Sequence, residues 1–270
     1  MNGRVQGAGT REAAFVIRLS VNVNKVATVR NSRGGRVPNV LEAVETCLAA
    51  GAPGITVHPR ADRRHITPED VRQIAGALKG RHPHVELNIE GDPRPDFIAL
   101  VREIKPDQCT LVPVVPGEIT SQAGWCPGRD ADRLSGVVDD LRSRGIRVSV
   151  FVDARADRVA WAASIGADRV ELYTEPYARA FETGPEAARR AFQVCVDTAR
   201  LARSLGLGIN AGHDLNLENL VLFRTLPYLD EVSIGHAIIG RALFVGLSTV
   251  VRQYLDILSA TRAADTVRNT

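Results

Sequence analysis

The stretch RLSGVVDDLRSRGIRVSVFVD (residues 133–153) joins an amphipathic segment to a run rich in valine. Apolar residues recur at helical spacing in RLSGVVDDLRSRG, and its final glycine is typical of a helix C-cap. The run RVSVFVD (147–153) has instead the length and the β-branched composition of a buried strand. The stretch therefore predicts a helix that leads into a strand, which is the repeating unit of a parallel sheet.

Similar β-rich runs recur along the whole chain. They are VIRLSVNV (16–23), GITVH (54–58), HVELNI (84–89), QCTLV (108–112), RVELY (169–173), LGLGIN (205–210) and EVSIG (231–235). Helical patterns such as VLEAVETCLAAGA, PEDVRQIAGALKG and EAARRAFQVCVDTARLARSLG lie between them. Eight evenly distributed units without a break in composition favour the α/β class and a single-domain (β/α)8 TIM barrel with extra loop elements. An open doubly wound sheet is the alternative.

The barrel domain is predicted over residues 15–260. Residues 1–14 lack the apolar centre of a signal peptide, so a flexible N-terminal tail is expected there, and 261–270 are expected to form a C-terminal tail. The longest irregular segment, PVVPGEITSQAGWCPGRD (113–130), follows the fourth run. Long loops in compact domains are often functional, and this one is expected to be either a lid or a surface excursion.

The composition limits the classes of partner. Lys and Arg number 34 against 31 Asp and Glu, and the two signs are interleaved, which argues against a nucleic-acid partner. No apolar run is long enough to cross a membrane. The four cysteines form no CxxC pair, so a reduced, cytoplasmic protein is expected. His82 and His84 have the spacing of a metal pair but precede a strand at the opposite face, so no metal site is predicted.

Polar residues follow or end several predicted strands, where the catalytic groups of such barrels gather. They are Asn22, Asn24, Lys25, His58, Arg60, Glu86, Asn88, Glu171, His213 and His236. The segments NAGHDLN (210–216) and SIGHAIIGRA (233–242) follow the last two strands, which is a usual position for a phosphate site in this fold. Arg33 and Arg60 add fixed positive charge suited to phosphate. The pattern therefore indicates an enzyme of small phosphorylated substrates.

Six segments together resemble the pyridoxine 5'-phosphate synthase family. They are SVNVNKVATVRNSRGG, GITVHPRADRRHIT, ELNIEGDPRPDF, TLVPVVPGEITSQAGW, INAGHDLN and SIGHAIIGRAL. The similarity extends from about residue 16 to residue 257. It implies a transferase of vitamin B6 biosynthesis that condenses 1-deoxy-D-xylulose 5-phosphate with 3-amino-2-oxopropyl phosphate and releases phosphate and water. It implies no metal or organic cofactor, and it implies a homo-octamer.

The resemblance also implies roles for individual residues. His58 and Glu86 are expected to accept protons, His213 to donate one, and Glu171 to stabilise cationic intermediates. The deoxyxylulose phosphate is expected to bind Arg60, His65 and Thr120, together with Asn24 and Lys25. The aminoketone phosphate is expected to bind Asn22, Arg33, Gly235 and His236. Asp214 is also expected to contact a substrate.

Three residues in two segments depart from the family pattern, which often has Asp-His in place of Asn24-Lys25 and Gly in place of Asp214. Two other readings stay open. A Schiff-base sugar-phosphate aldolase would use Lys25, and borohydride trapping would detect its adduct. A non-catalytic protein that senses phosphorylated metabolites would bind both substrates without turnover.

Overall fold

The eight predicted runs pair in chain order and close into a barrel of parallel strands. The computed structural model describes residues 16–114, 123–128 and 131–260. The strands are β1 (Arg18–Asn22), β2 (Gly54–Val57), β3 (Glu86–Gly91), β4 (Gln108–Leu111), β5 (Arg147–Asp153), β6 (Arg169–Tyr173), β7 (Gly208–Gly212) and β8 (Leu229–Ile234). β1 pairs with both β2 and β8, so the sheet is closed and the predicted barrel is confirmed over the open alternative. The predicted tails 1–14 and 261–270 lie outside the described residues.

Helices surround the barrel and return the chain from each strand to the next. They are α1 (Asn24–Asn31), α2 (Val40–Ala49), α3 (Pro68–Arg81), α4 (Pro95–Ile104), α5 (Ala131–Ser143), α6 (Ala156–Ser164), α7 (Glu175–Thr183), α8 (Pro185–Ser204), α9 (Leu220–Phe223), α10 (His236–Val245) and α11 (Leu247–Ser259). The start of α3 shows how sequence sets a boundary. The Thr67 hydroxyl accepts from the Asp70 amide, the Asp70 carboxylate accepts from the Thr67 amide, and Pro68 occupies the first turn.

Alternate residues of each strand point outward and form the apolar core with the helices. On β5 these are Val148, Val150 and Val152, and α5 covers the same layer with Val138 and Leu141, all of them buried. Burial of one such side chain contributes about 1.5–3 kcal/mol to the free energy of unfolding. The main apolar core therefore lies between the sheet and the helices.

The inside of the barrel is polar. Ser20 and Thr56 hydroxyls lie 2.6 Å apart, Asn88 donates to Thr56 at 3.3 Å, and Thr110 donates to Asn88 at 3.0 Å. Barrels of this kind more often fill this space with Val, Ile and Leu. Because a buried polar atom needs a partner, the residues of this layer are satisfied by one another across neighbouring strands.

Below this layer, at the amino-terminal end of the strands, charged groups close the barrel. Gln108 on β4 donates to Glu231 on β8 at 3.3 Å, directly across the interior. Glu86 accepts from Arg18 at 2.9 Å and also pairs with Arg147. These ion pairs occupy the end opposite to the one where barrels of this class carry out chemistry.

The described end of the irregular segment 113–130 packs on the carboxyl ends of two strands. Trp125 Nε1 donates to the Leu111 carbonyl at 3.0 Å, and the Gly124 amide donates to Asp153 at 3.3 Å. A Cβ at Gly124 would lie 2.3 Å from the Val152 Cα, so only glycine permits this approach. Residues 115–122 and 129–130 lie outside the described part of the chain, and the role of the segment as a lid stays a prediction.

Candidate active site

Most of the predicted site residues lie at the carboxyl ends of the strands, on one rim of the barrel. They belong to the end of β1 and the start of α1, the loop after β2, the middle of β6, and the turns after β7 and β8. The members are Asn22, Asn24, Lys25, His58, Arg60, His65, Glu171, His213, Asp214, Gly235 and His236. Five strands that are far apart in sequence thus bring these groups to one face.

Asn22 and Glu90 connect three strands at the centre of this rim. Asn22 Nδ2 donates to Glu90 Oε2 at 3.4 Å, and the Ser233 hydroxyl donates to Glu90 Oε1 at 3.4 Å. The Gly235 backbone lies so close that a Cβ there would be 2.9 Å from the Asn22 carbonyl oxygen. Burial raises the pKa of Glu90 to about 8, with a further contribution from the charge of Glu231. A carboxyl group with this pKa exchanges protons readily near neutral pH.

His58 directly follows β2 and is held through its backbone. Its amide donates to Asn24 Oδ1 at 2.9 Å, and Asn24 in turn donates from its own amide to Asn22 Oδ1 at 3.0 Å. The ring is buried, and its Nε2 atom has no hydrogen-bond partner among the described residues. Burial lowers the pKa of His58 well below its usual value, and nearby positive charges lower it further. His58 is therefore neutral at pH 7, the state that accepts a proton.

The loop after β2 adds a second histidine and a buried arginine. The rings of His58 and His65 have centroids 5.7 Å apart. Burial lowers the pKa of His65 to about 4, and the charges of Arg60 and Lys25 contribute to the same shift. Arg60 is buried and pairs with Asp62 at 3.2 Å. The positive charges of Arg60 and Lys25 beside the neutral imidazole of His65 are suited to binding a phosphate group.

Glu171 projects from the middle of β6 below this rim. Its Oε2 atom is buried without a partner in the described part of the chain. A Cβ at Gly212 on the adjacent strand would lie 2.5 Å from Glu171 Oε1, so glycine leaves the space that this carboxyl group occupies. Burial raises the pKa of Glu171 well above its usual value, as do the charges of Glu90 and Glu231. Burial therefore favours the neutral form of this carboxyl group.

The turns after β7 and β8 complete the rim. His213 follows the last residue of β7, and its Nδ1 lies 3.3 Å from Asp214 Oδ2. His236 begins α10, and Gly235 immediately precedes that helix. The backbone amides at the start of a helix attract anions, so this position fits the predicted phosphate site.

Glu86 is not part of this arrangement, which corrects the prediction that placed it with His58 and His213. It is the first residue of β3 and binds Arg18 and Arg147 at the amino-terminal end of the barrel. Glu90, four residues later on the same strand, lies at the rim instead. A rise of about 3.3 Å per residue separates the two carboxylates by roughly 13 Å along the strand.

Sequence reasoning also missed Arg94, which lies at the start of α4. Its Nη2 donates to the Pro59 carbonyl at 2.7 Å, and its charge contributes to the low pKa of His58. The motif ELNIEGDPRPDF contains both Glu90 and Arg94. The motif alone does not indicate how far along the barrel axis each of these side chains lies.

In the described part of the chain, Arg33 is not brought into contact with the other predicted site residues. Arg33 is exposed in the turn after α1, where its amide donates to the Arg30 carbonyl at 3.3 Å. Thr120 lies outside the described residues.

Comparison with known proteins shows which family the chain is similar to. The family model described as pyridoxal phosphate biosynthesis protein PdxJ matches residues 19–260. The chain is 53% identical over 243 residues to a pyridoxine 5'-phosphate synthase of Porphyromonas gingivalis, covering 90% of this chain and 99% of the relative. It is 52% identical over 242 residues to the corresponding protein of Bacteroides thetaiotaomicron, covering 89% of this chain and 99% of the relative.

Solved structures with much lower identity share the fold. A phosphoribosyl anthranilate isomerase from Thermus thermophilus superposes with a TM-score of 0.56 at 17% identity, covering 91% of this chain and 100% of that one. A mutant tryptophan synthase alpha-subunit from Pyrococcus furiosus gives a TM-score of 0.57 at 13% identity, covering 91% and 98% of the two chains. The match of the family model, the identity to the relatives and the closed barrel lead to one conclusion: the chain belongs to the PdxJ family of pyridoxal phosphate biosynthesis proteins.

Proposed function

We propose that the protein is a pyridoxine 5'-phosphate synthase that condenses 1-deoxy-D-xylulose 5-phosphate with 3-amino-2-oxopropyl phosphate, and that phosphate and water are released. The observation that carries this proposal is the joint presence, on one rim, of neutral His58, the high-pKa carboxyl of Glu90 and the pair of His213 with Asp214. Ring formation from an aminoketone and a ketose moves several protons. A rim with groups that both accept and donate protons suits that chemistry.

The proton acceptors in this proposal are His58 and the ionised form of Glu90, with Glu90 in the role that the resemblance assigned to Glu86. Both lie at the carboxyl ends of neighbouring strands, whereas Glu86 is occupied by two arginines at the other end. His213 donates a proton, and Glu171 stabilises cationic intermediates. An unpartnered carboxyl in a buried site interacts strongly with a positive charge that forms beside it.

Two groups of residues are proposed to hold the phosphorylated substrates. Arg60 and His65, with Asn24, Lys25 and Thr120, bind the deoxyxylulose phosphate. Asn22, Arg33, Gly235 and His236 bind the aminoketone phosphate. The tight approach of Gly235 to Asn22 and the start of α10 support the second group, because backbone amides at a helix start bind anions without added side-chain bulk.

The test is direct formation of product. Purified protein mixed with both substrates, in the presence of a chelator and without an added cofactor, is expected to form pyridoxine 5'-phosphate, detected by its fluorescence and mass. Well-folded protein that binds both substrates without product would favour the sensor. A borohydride-trapped adduct at Lys25 would favour the aldolase.

We also propose that the protein works as a homo-octamer in the cytoplasm. The end of α10 carries three exposed apolar residues, Leu243, Phe244 and Val245, and Phe244 is 87% exposed. Consecutive exposed apolar residues such as these mark surfaces that contact another protein chain. Light scattering should show an octamer for the parent protein and smaller species for Phe244→Lys. Fractionation of the source cells tests the compartment. The described helices include none that is long and apolar enough to cross a membrane.

A further inference from the structure

His213 and Asp214 occupy a strained turn directly after β7. Their φ angles are +87° and +58°, although neither residue is glycine. A non-glycine residue in a sparsely populated backbone region costs on the order of 1–3 kcal/mol and persists only where its surroundings hold it. Here the Asn219 side chain donates to the Asp214 carbonyl at 3.0 Å, and the Thr174 hydroxyl donates to the Gly212 and His213 carbonyls. The turn is therefore built to present these two side chains.

The ring of His213 is held on several sides. Its centroid lies 5.2 Å from that of Tyr173 in an edge-on contact and 6.1 Å from that of Phe151. Asp214 Oδ2 lies 3.3 Å from Nδ1. With Nδ1 turned to the carboxylate, Nε2 is the ring nitrogen left to meet a substrate. A histidine whose one nitrogen is engaged by a carboxylate has its tautomer and orientation set by that contact.

A direct contact between Asp214 and a substrate phosphate is electrostatically unfavourable. The hydrogen bond with His213 lowers the pKa of Asp214, as do the charges of His213, His236 and Arg179, so the side chain is an anion at neutral pH. Two anions within contact distance repel each other. The structure thus favours a role for Asp214 through His213 over a direct contact with a substrate phosphate.

We propose that Asp214 is a positioning residue for proton donation: its carboxylate accepts a hydrogen bond from Nδ1–H of the His213 imidazolium and so aims Nε2–H at the reacting substrate. Transfer of the Nε2 proton leaves His213 as the neutral Nδ1–H tautomer, which keeps its bond to Asp214. This inference rests on the proposed function, in which His213 is the proton donor. It assigns a carboxylate–histidine pair to a position where the family often has glycine, so this chain orients its donor by a contact that a glycine cannot supply.

The test compares Asp214→Asn and Asp214→Gly with Glu218→Gln, an exposed acid in the same turn region that serves as the matched control. Asparagine and glycine both tolerate a φ of +58°, so both variants are expected to melt at or above the parent temperature. We expect a loss in kcat of about tenfold or more, with KM for both substrates changed less than about twofold. The control should match the parent.

A double-mutant cycle shows whether Asp214 acts through His213. In a His213→Asn background, Asp214→Asn is expected to change kcat by less than about twofold, because the group that it orients is gone. An equal loss in both backgrounds would overturn the proposal. So would a raised KM with unchanged kcat, which would mark a direct substrate contact.

The tautomer can also be measured without turnover. In protein labelled with 15N-histidine, the parent is expected to show His213 with a protonated Nδ1, and Asp214→Gly to shift this signal towards the other tautomer. An unchanged spectrum would overturn the pairing itself. Parent protein that forms no product but shows this signal would instead refute the proposed function and leave the pair standing.

Discussion

Arg30 and Asp70 form a two-point ion pair between α1 and the first turn of α3, with Nη1–Oδ1 and Nη2–Oδ2 distances of 2.5 and 2.9 Å. The next residue, Asn31, donates to the His65 carbonyl at 2.8 Å and accepts from Arg30 Nε at 2.9 Å. The Arg30–Asp70 ion pair and the side-chain amide of Asn31 together hold the loop after β2, which carries His65, against α1. The geometry of the proposed sugar-phosphate subsite therefore depends on contacts made outside it.

Asp70→Asn should both destabilise the protein and weaken the subsite. Both side chains are largely buried, so the loss of one charge leaves the other without compensation, at a cost of about 3 kcal/mol in the free energy of unfolding. We expect KM for deoxyxylulose phosphate to rise by several-fold. Glu103→Gln breaks the exposed pair with Arg72 and should cost less than about 1 kcal/mol. Equal destabilisation by the two changes would contradict this account.

Glu90→Gln and Glu86→Gln separate the two carboxylates of β3. Loss of the rim carboxylate should lower kcat by about 10²- to 10⁴-fold, the range of general acid–base groups. Glu86→Gln should retain kcat but destabilise the protein by about 1–3 kcal/mol, because Arg18 and Arg147 lose an ionised partner. Kinetics and chemical denaturation of both variants measure the difference. The reverse pattern would restore the original assignment of Glu86.

The stability of Glu90→Gln should also depend on pH in a definite direction. The pKa of Glu90 is about 8 in the folded protein, above its usual value, so the folded state binds more protons than the unfolded state between the two values. The parent therefore loses stability as pH rises through this range, and the glutamine variant lacks this loss. We expect the variant to exceed the parent by on the order of 2 kcal/mol at pH 7 and by less at pH 5. A difference in the free energy of unfolding that does not change between pH 5 and pH 7 would show that Glu90 is ionised over that whole range.

His58→Asn should lower turnover by about 10²- to 10⁴-fold while KM changes little. The burial that holds the pKa of His58 below its usual value keeps the parent ring neutral at pH 6.5 and above. The acidic fall of kcat/KM that belongs to this group should consequently lie below pH 6.5. His82→Asn, on the turn before β3, serves as the control and should leave turnover unchanged. A stable His58→Asn variant with near-normal turnover would remove His58 from the mechanism.

Gly235→Ala should weaken anion binding because its Cβ would meet Asn22. The new carbon would lie 2.9 Å from the Asn22 carbonyl oxygen, so the start of α10 or the end of β1 must move. Calorimetric titration with inorganic phosphate is expected to show affinity reduced by about tenfold, roughly 1.4 kcal/mol. Gly240→Ala in the same helix meets no atom within 4 Å and should stabilise α10 by about 0.5–1 kcal/mol with unchanged affinity. Equal affinity in both variants would argue against a phosphate at Gly235.

Strand β3 shows which features of a side chain's position the sequence can and cannot predict. Alternation in a strand indicates that Glu86, Asn88 and Glu90 share one face, and all three do lie inside the barrel. Their height along the barrel depends on the residue with which the strand begins. The predicted run ended at residue 89, but the strand extends to Gly91, and so the carboxylate at the rim is the later one.

Other features follow from contacts between distant segments. The eight strands and the histidines that follow some of them can be predicted, because residue composition and strand ends are local properties of the sequence. The pairing of Arg30 with Asp70 and the approach of Arg94 to His58 depend on how elements pack. So does the lack of a hydrogen-bond partner for Glu171 Oε2 among the described residues. Periodicity carries no information about such contacts, since it specifies a face of an element and not its neighbour.

The raised pKa values of Glu90 and Glu171 link substrate binding to the solution proton concentration. Burial disfavours the charged form of both carboxyl groups. Under the proposed function, a cationic aminoketone beside them would favour their ionised forms and displace protons into the surrounding buffer. The affinity for the amine should then rise with pH over the range in which these carboxyl groups titrate.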